Sequence, residues 1–337
     1  MKYPSFLKEK GVIGVTAPSD GVVDPIKLNR LENAILKFSE LGYSVLETEN
    51  VRMSEKGISS DSKERAQQLE YLFEEPLVQA IICVGGGDFL LEMLSEINLE
   101  KIEEHPKWIQ GYSDPTGILY LITTKLDIAT IYGENFKTFG MEKWHPSLKN
   151  NLEILKGNIV TQSNFDFYEK EELPYVSGLE DYHLDTPVVW KSLSNKKKVF
   201  MKGRLIGGCL DLFVSMIGTR FDYTKDFIHR YQDDGIIWYF DNCELTSEGV
   251  IRAMWQLKEA GWFQGTKGIL FGRSMTNSSY YDISFEEAIS RSLQDLDIEV
   301  LWDLDIGHVK PSVTLINGAM VQINYEEGKG NINFSLE

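Results

Sequence analysis

Residues 80–84 read Ala-Ile-Ile-Cys-Val and run without a polar break into Gly85-Gly86-Gly87. An apolar run with no alternation describes a strand covered on both faces, the condition of an inner strand in a parallel sheet between helix layers. The segments around it carry the same message. Val12-Ile13-Gly14-Val15 and residues 43–46 are short strand candidates, and between them Ile26, Leu28, Leu31, Ala34, Ile35 and Phe38 recur at helical spacing. A second helix is expected over 63–73 and a third directly after the glycines, at 89–94. Further strands are expected at 108–109 and 128–132. Strand and helix alternating through short loops predict a mostly parallel sheet flanked by helices.

A chain of 337 residues exceeds one ordinary core, and roughly two domains is the expectation. Residues 150–200 turn polar, acidic and poorly periodic, and the alternation restarts at Gly203. A strand is expected at 236–240, followed by a helix capped by Thr246 or Ser247 and ended by Gly261, with Val250, Met254 and Leu257 on one face. Later strands are expected at 268–271, 300–302, 321–323 and 332–334. The fold class is therefore α/β in two domains: 1–165 carrying a turn around Ser113, 166–200 as a connection, and a C-terminal α/β domain over 201–337.

The formal net charge of −17 argues against nucleic acid or an anionic membrane as partner, because either would favour a basic face. No uninterrupted apolar stretch of about 18 residues exists to span a membrane. The N-terminal Met-Lys-Tyr-Pro-Ser-Phe-Leu turns directly into a strand, so no signal peptide is expected. Cys83, Cys209 and Cys243 are widely spaced in apolar surroundings, which suits reduced thiols and a cytoplasmic protein better than disulfides or a zinc site.

Chemistry-bearing residues cluster at strand ends. Ser113 sits in a Gly-Tyr-Ser-Asp corner between a short strand and an apolar helix. A serine there is either a helix cap or a nucleophile on a sharp elbow; position 115 is proline, so the hydrolase pattern Gly-x-Ser-x-Gly is not met. Of five histidines, His105, His145, His183 and His229 precede prolines or lie in charged stretches; His308 alone follows a strand exit. Asp241 ends the 236–240 strand, with Glu244 three residues on. Either carboxylate could decorate a helix entry or orient a histidine. Gly85-Gly86-Gly87 could aim backbone N–H groups at a phosphate or a developing oxyanion. It lacks the Gly-x-Gly-x-x-Gly and Lys-Ser/Thr patterns of nucleotide loops.

Taken in order, GVTAPS, SKERAQQLEYLF, IICVGGGDFLLEML, IQGYSDPTGIL, IYGENFKTFG, GRLIGGCLDLFVSMIGT, IIWYFDNCEL, GILFGR and DLDIGHVKPSVTLINGA resemble the LD-carboxypeptidase family of serine peptidases. That family includes muropeptide LD-carboxypeptidases and microcin C self-immunity carboxypeptidases. The resemblance implies a Ser-Glu-His triad whose serine falls on Ser113 and whose histidine falls on His308. It implies an oxyanion site made by the N–H groups of Asp114 and Gly86. The third member departs: where the family has Phe-Ile-Glu-Asp or Phe-Leu-Glu-Asp, this chain reads Tyr-Phe-Asp-Asn. Aligned without a gap, the acid is Asp241, with Glu244 in reserve. Cys209 stands where many relatives have asparagine.

The resemblance further implies a homodimer, no metal or organic cofactor, and an active site in the cleft between the domains. Its substrate is a small peptide or a peptidyl-nucleotide: the L,D bond of a murein tetrapeptide, or the amide of a peptidyl-nucleotide antibiotic. Gly85, Gly87 and Trp190 are expected near the substrate, Trp190 as a stacking wall or else a plain core residue. Arg204, Lys137 and Arg273 are the cations close enough to these motifs to meet a substrate carboxylate. A non-catalytic binding relative remains open through the Glu-to-Asp change. A nucleotide-dependent enzyme using the triglycine remains open too.

Overall fold

The computed structural model describes residues 1–336, which divide into two compact units. The first comprises 1–160, 171–183 and 314–317; the second comprises 161–170, 184–313 and the described residues from 318 onward. The stretch expected as a connection, 166–200, is thus shared between them, with 171–183 folding into the first unit. Among the described residues no helix is long and apolar enough to cross a membrane.

The first unit is built from β1 (Val12–Thr16), α1 (Pro25–Glu40), β2 (Ser44–Glu47), α2 (Ser62–Glu74), β3 (Val78–Cys83), α3 (Leu99–Glu104), β4 (Trp108–Gly111), α4 (Thr116–Leu126), β5 (Thr130–Tyr132) and α5 (Pro146–Leu155). β5, β4, β3, β1 and β2 lie side by side in that order and all run parallel. Ala80 through Val84 have no exposed surface, as their unbroken apolarity requires. Asp24 caps α1 by accepting from the N–H groups of Ile26 and Lys27, with Pro25 at the first turn. A sixth strand, Leu315–Asn317, joins antiparallel to β5 from far along the chain. Its three residues carry no periodic signal of their own.

One helix expected from the sequence is absent in that form. After the triglycine the chain makes a short 3₁₀ turn over Leu90–Ser95 rather than an α-helix. Side chains hold it by its leading end: Asp114 Oδ2 accepts from Leu90 N at 2.8 Å, and Arg65 donates to Phe89 O at 2.8 Å. Local apolar spacing could not register those long-range ties.

The second unit contains β6 (Gln162–Ser163), β7 (Phe167–Tyr168), β8 (Thr186–Pro187), β9 (Lys191–Ser192), β10 (Lys198–Cys209), α6 (Leu210–Met216), α7 (Thr224–Arg230), β11 (Ile236–Asp241), α8 (Ser247–Glu259), β12 (Thr266–Gly272), α9 (Phe285–Leu293) and β13 (Glu299–Leu304). After β14, the Leu315–Asn317 strand already placed, come β15 (Met320–Glu326) and β16 (Lys329–Ser335). The sheet order is β6-β16-β15-β10-β11-β12-β13-β9, with β10 to β13 parallel and the flanking strands antiparallel. β11 is buried at every residue, Asp241 included. Thr246 caps α8 through Gly249 N. The parallel core of this sheet delivers two strand exits to the chemistry, those of β11 and β13.

Candidate active site

Ser113 occupies the corner between β4 and α4 with φ at +69°. A residue with a Cβ is strained in that left-handed region, and such strain persists only where surrounding structure enforces it. The enforcement is visible next door. Asp114, only 5% exposed, accepts from Ser19 Oγ and from Leu90 N, which pins the corner to the β1 exit and to the 3₁₀ turn. Burial raises the Asp114 carboxyl above its ordinary pKa, while the Ser19 hydrogen bond pulls it down. Ser113 does not cap α4 with its side chain. The cap position is Pro115, and no side-chain cap bond is made there.

The triglycine packs directly against this corner. A Cβ on Gly86 would lie 3.0 Å from both Ser113 Cβ and Oγ, and one on Gly87 would strike Ser19 Oγ. Gly87 also has φ at +151°, so glycine is required there for backbone and for space. Among the described residues neither Asp114 N nor Gly86 N donates to an internal acceptor. Two donors left over beside a strained serine are what an oxyanion site needs.

In the second unit, the β11 and β13 exits bring Asp241 and His308 together. His308 Nδ1 lies 2.7 Å from Asp241 Oδ2, and His308 N donates to Asp241 Oδ1 at 3.2 Å. Asp241 has no exposed surface. Burial works against a charged imidazole, but the Asp241 carboxylate and its hydrogen bond outweigh it, with Cys243 adding to the effect, and the His308 pKa is pushed up to about 10. Gly307, at φ +89°, admits this contact: any Cβ there would overlap the Asp241 carboxylate. Glu244 is exposed, and its backbone N–H donates to Asp211 Oδ1. Of the two carboxylates, Asp241 is the one paired with the imidazole.

The loop that carries His308 is anchored by a buried ion pair. Arg273 Nη2 reaches Asp305 Oδ1 at 2.5 Å, and Arg273 stacks on the Tyr168 ring. Asp305 Oδ2 accepts from Trp190 Nε1 at 2.8 Å. Removing one partner of such a pair strands the other charge. Arg273→Ala is therefore expected to destabilise the second unit by about 3–5 kcal/mol, read as a lowered urea midpoint in tryptophan fluorescence.

The same geometry corrects one expectation and narrows another. Trp190 has no exposed surface, and its indole lies against Gly330, so it is a core residue with no face for a ligand. Arg204 is held by Asp234 and Gly318 O and lies over the Tyr231 ring. With Arg273 spent on Asp305, Lys137 is left as the candidate cation near the serine corner. Cys83, Cys209 and Cys243 are free thiols. Burial raises the Cys83 pKa to about 12 and moves Cys209 well above the ordinary thiol value.

Family models match both halves of the chain: the LD-carboxypeptidase N-terminal domain over residues 13–133 and the LD-carboxypeptidase C-terminal domain over 202–323. The chain is 24% identical over 328 residues to the "Probable murein peptide carboxypeptidase" of Bacillus subtilis, covering 96% of this chain and 92% of that one. It is 25% identical over 297 residues to the "Microcin C7 self-immunity protein MccF" of Escherichia coli, covering 82% and 79%. Among solved structures, an MccF-like protein from Bacillus anthracis superposes with a TM-score of 0.83 at 22% identity, covering 99% of both chains. An MccF mutant in complex with adenosine monophosphate does so at 0.82 with the same identity and coverage. These likenesses give the fold. With the N-terminal and C-terminal models matched in order over most of its length, the chain belongs to the LD-carboxypeptidase family.

Proposed function

We propose that this protein is a serine carboxypeptidase that cleaves the L,D bond before the terminal D-alanine of a murein tetrapeptide. Ser113 is the nucleophile, His308 its base and Asp241 the acid that holds the imidazole. The observation that most supports this reading is the buried Asp241 pair with His308 Nδ1, because it leaves Nε2 as the nitrogen to take a proton. His308 accepts the Ser113 hydroxyl proton as Oγ attacks the peptide carbonyl. The oxyanion is met by Asp114 N and Gly86 N, each such donor being worth about 3–4 kcal/mol of barrier. Collapse of the tetrahedral intermediate expels the D-alanine amine, which takes the proton from His308. Water then hydrolyses the acyl-enzyme with His308 again as base. The aspartate is one methylene shorter than the family's glutamate. Gly307, with no Cβ, lets the His308 loop close onto the shorter carboxylate.

A second substrate is favoured by the likeness to a self-immunity protein solved with adenosine monophosphate. It is the amide of a peptidyl-nucleotide, opened by the same residues. Incubation with murein tetrapeptide and, separately, with a peptidyl-adenylate, followed by mass spectrometry, tests both. D-alanine release from the first is expected. Both substrates recovered intact would leave a binding protein of this fold.

The raised pKa of His308 gives the pH dependence a sign. The imidazole works as a base only when neutral, so kcat/KM should climb with pH through the alkaline region toward about pH 10. The charged pair stabilises the fold fully below the ordinary histidine pKa of about 6.5, and that contribution fades as pH rises through the raised value. Initial rates and urea midpoints measured from pH 6 to pH 10 should therefore move in opposite directions.

A further inference from the structure

Lys137 sits on a 3₁₀ turn, Phe136–Gly140, placed immediately after β5. Phe136 stacks on Phe38 of α1 at 5.2 Å, and Lys137 N donates to Val84 O at the end of β3. The backbone under this lysine is therefore tied to two elements of the first unit. Its side chain runs over the triglycine. A Cβ on Gly85 would meet Lys137 Nζ at 3.1 Å and Cε at 3.6 Å, while a Cβ on Gly86 would meet Ser113 Oγ at 3.0 Å. The ammonium and the hydroxyl thus flank adjacent residues of one turn, whose Cα atoms are about 3.8 Å apart.

Among the described residues no carboxylate oxygen comes within 4.0 Å of Lys137 Nζ, and no internal acceptor takes its protons. Burial lowers its pKa to about 8, with Lys27 and Arg30 of α1 pushing the same way and Asp20 and Glu172 pulling back from longer range. Holding a partly buried ammonium without a partner is costly unless something anionic arrives to meet it. In a carboxypeptidase the free carboxylate lies one residue beyond the attacked carbonyl, a span comparable to that between Gly85 and Gly86.

We propose that Lys137 binds the anionic oxygen group of the substrate next to the scissile bond and so selects substrates that carry one. This rests on Ser113 being the nucleophile. The group is either the terminal carboxylate of a peptide or the phosphate of a peptidyl-nucleotide, and the two sources are separable. Arg204 and Arg273 cannot take this role, since both are already held by aspartates.

The test compares matched substrate pairs: murein tetrapeptide against its C-terminal carboxamide, and a peptidyl-adenylate against the phosphate-free peptidyl-adenosine. Wild-type protein is expected to favour the anionic member of one pair by about 100-fold in kcat/KM, the scale of one hydrogen bond to a charged group. The pair that shows the preference identifies the source. In Lys137→Met that ratio should collapse toward unity, mainly through KM, and Lys137→Arg should restore part of it. Gly85→Ala, which crowds Nζ without requiring a new backbone conformation, should reduce the ratio as well. A Lys137→Met protein that keeps the wild-type ratio overturns the proposal. If the wild type cleaves none of the four, the proposed reaction fails separately, and calorimetric titration of Ser113→Ala decides on Lys137. Selective binding of an anionic member, lost when Lys137→Met is added, supports it. Equal binding of both members, or none, overturns it.

Discussion

Ser113→Ala is expected to lower kcat for D-alanine release by at least ~10⁴-fold while leaving the unfolding midpoint within error of wild type. Alanine keeps the Cβ and the strained corner at φ +69°, so only the hydroxyl is lost. Ser113→Gly separates strain from chemistry. It should be equally inactive, yet more stable by about 1 kcal/mol, because glycine adopts left-handed backbone without a steric penalty. A residue whose natural identity costs stability and whose removal costs activity is strained for a reason. Turnover undiminished in Ser113→Ala would end the nucleophile reading outright. Labelling by a fluorophosphonate, localised by peptide mapping, gives the same answer without a natural substrate.

The second large effect is expected at Asp241. Asp241→Asn should reduce kcat by about 10³–10⁴-fold, because an amide cannot hold the imidazole in the reactive tautomer or balance its positive charge. It should also move the ionisation that governs kcat/KM to lower pH, since the carboxylate is what raises the His308 pKa against the pull of burial. The paired shift distinguishes an electrostatic partner from a merely structural aspartate. Glu244→Gln serves as the control: its side chain is exposed, and its loss should leave rate and pH profile near those of wild type. The reverse pattern, a crippled Glu244→Gln beside an active Asp241→Asn, would reassign the acid.

Much of the architecture was legible from local pattern. The buried run at 80–84, the α1 periodicity and the Thr246 cap are decided by neighbours in sequence, and each forms where expected. The short strand Leu315–Asn317 was not legible, because three residues earn strand geometry only by pairing with β5. The helix expected after the triglycine failed for a related reason. Arg65, distant in sequence, donates to Phe89 O, a carbonyl that an α-helix starting there would use. Asp114 and Ser19 accept from the Leu90 and Phe89 N–H groups and fix where the turn begins. Within the candidate site, Ser113 and His308 stood out by their place at strand exits. The preference for Asp241 over Glu244 rested on the ungapped alignment, since both are carboxylates at a helix entry when read along the chain. The contact with the imidazole is seen only in the fold.

By itself the amino-acid sequence determined the two α/β units, the family, and which serine and histidine to examine, because these follow from periodicity and ordered motifs carried by contiguous residues. Tertiary structure alone decided that Asp241 meets the imidazole, that Trp190 is core, that Arg204 and Arg273 are occupied, and that the Lys137 ammonium lies over Gly85. The physical reason is the same in each case. A side chain's partner and its access to solvent are set by groups brought close through folding, often from a hundred residues away, and no local spacing encodes that distance.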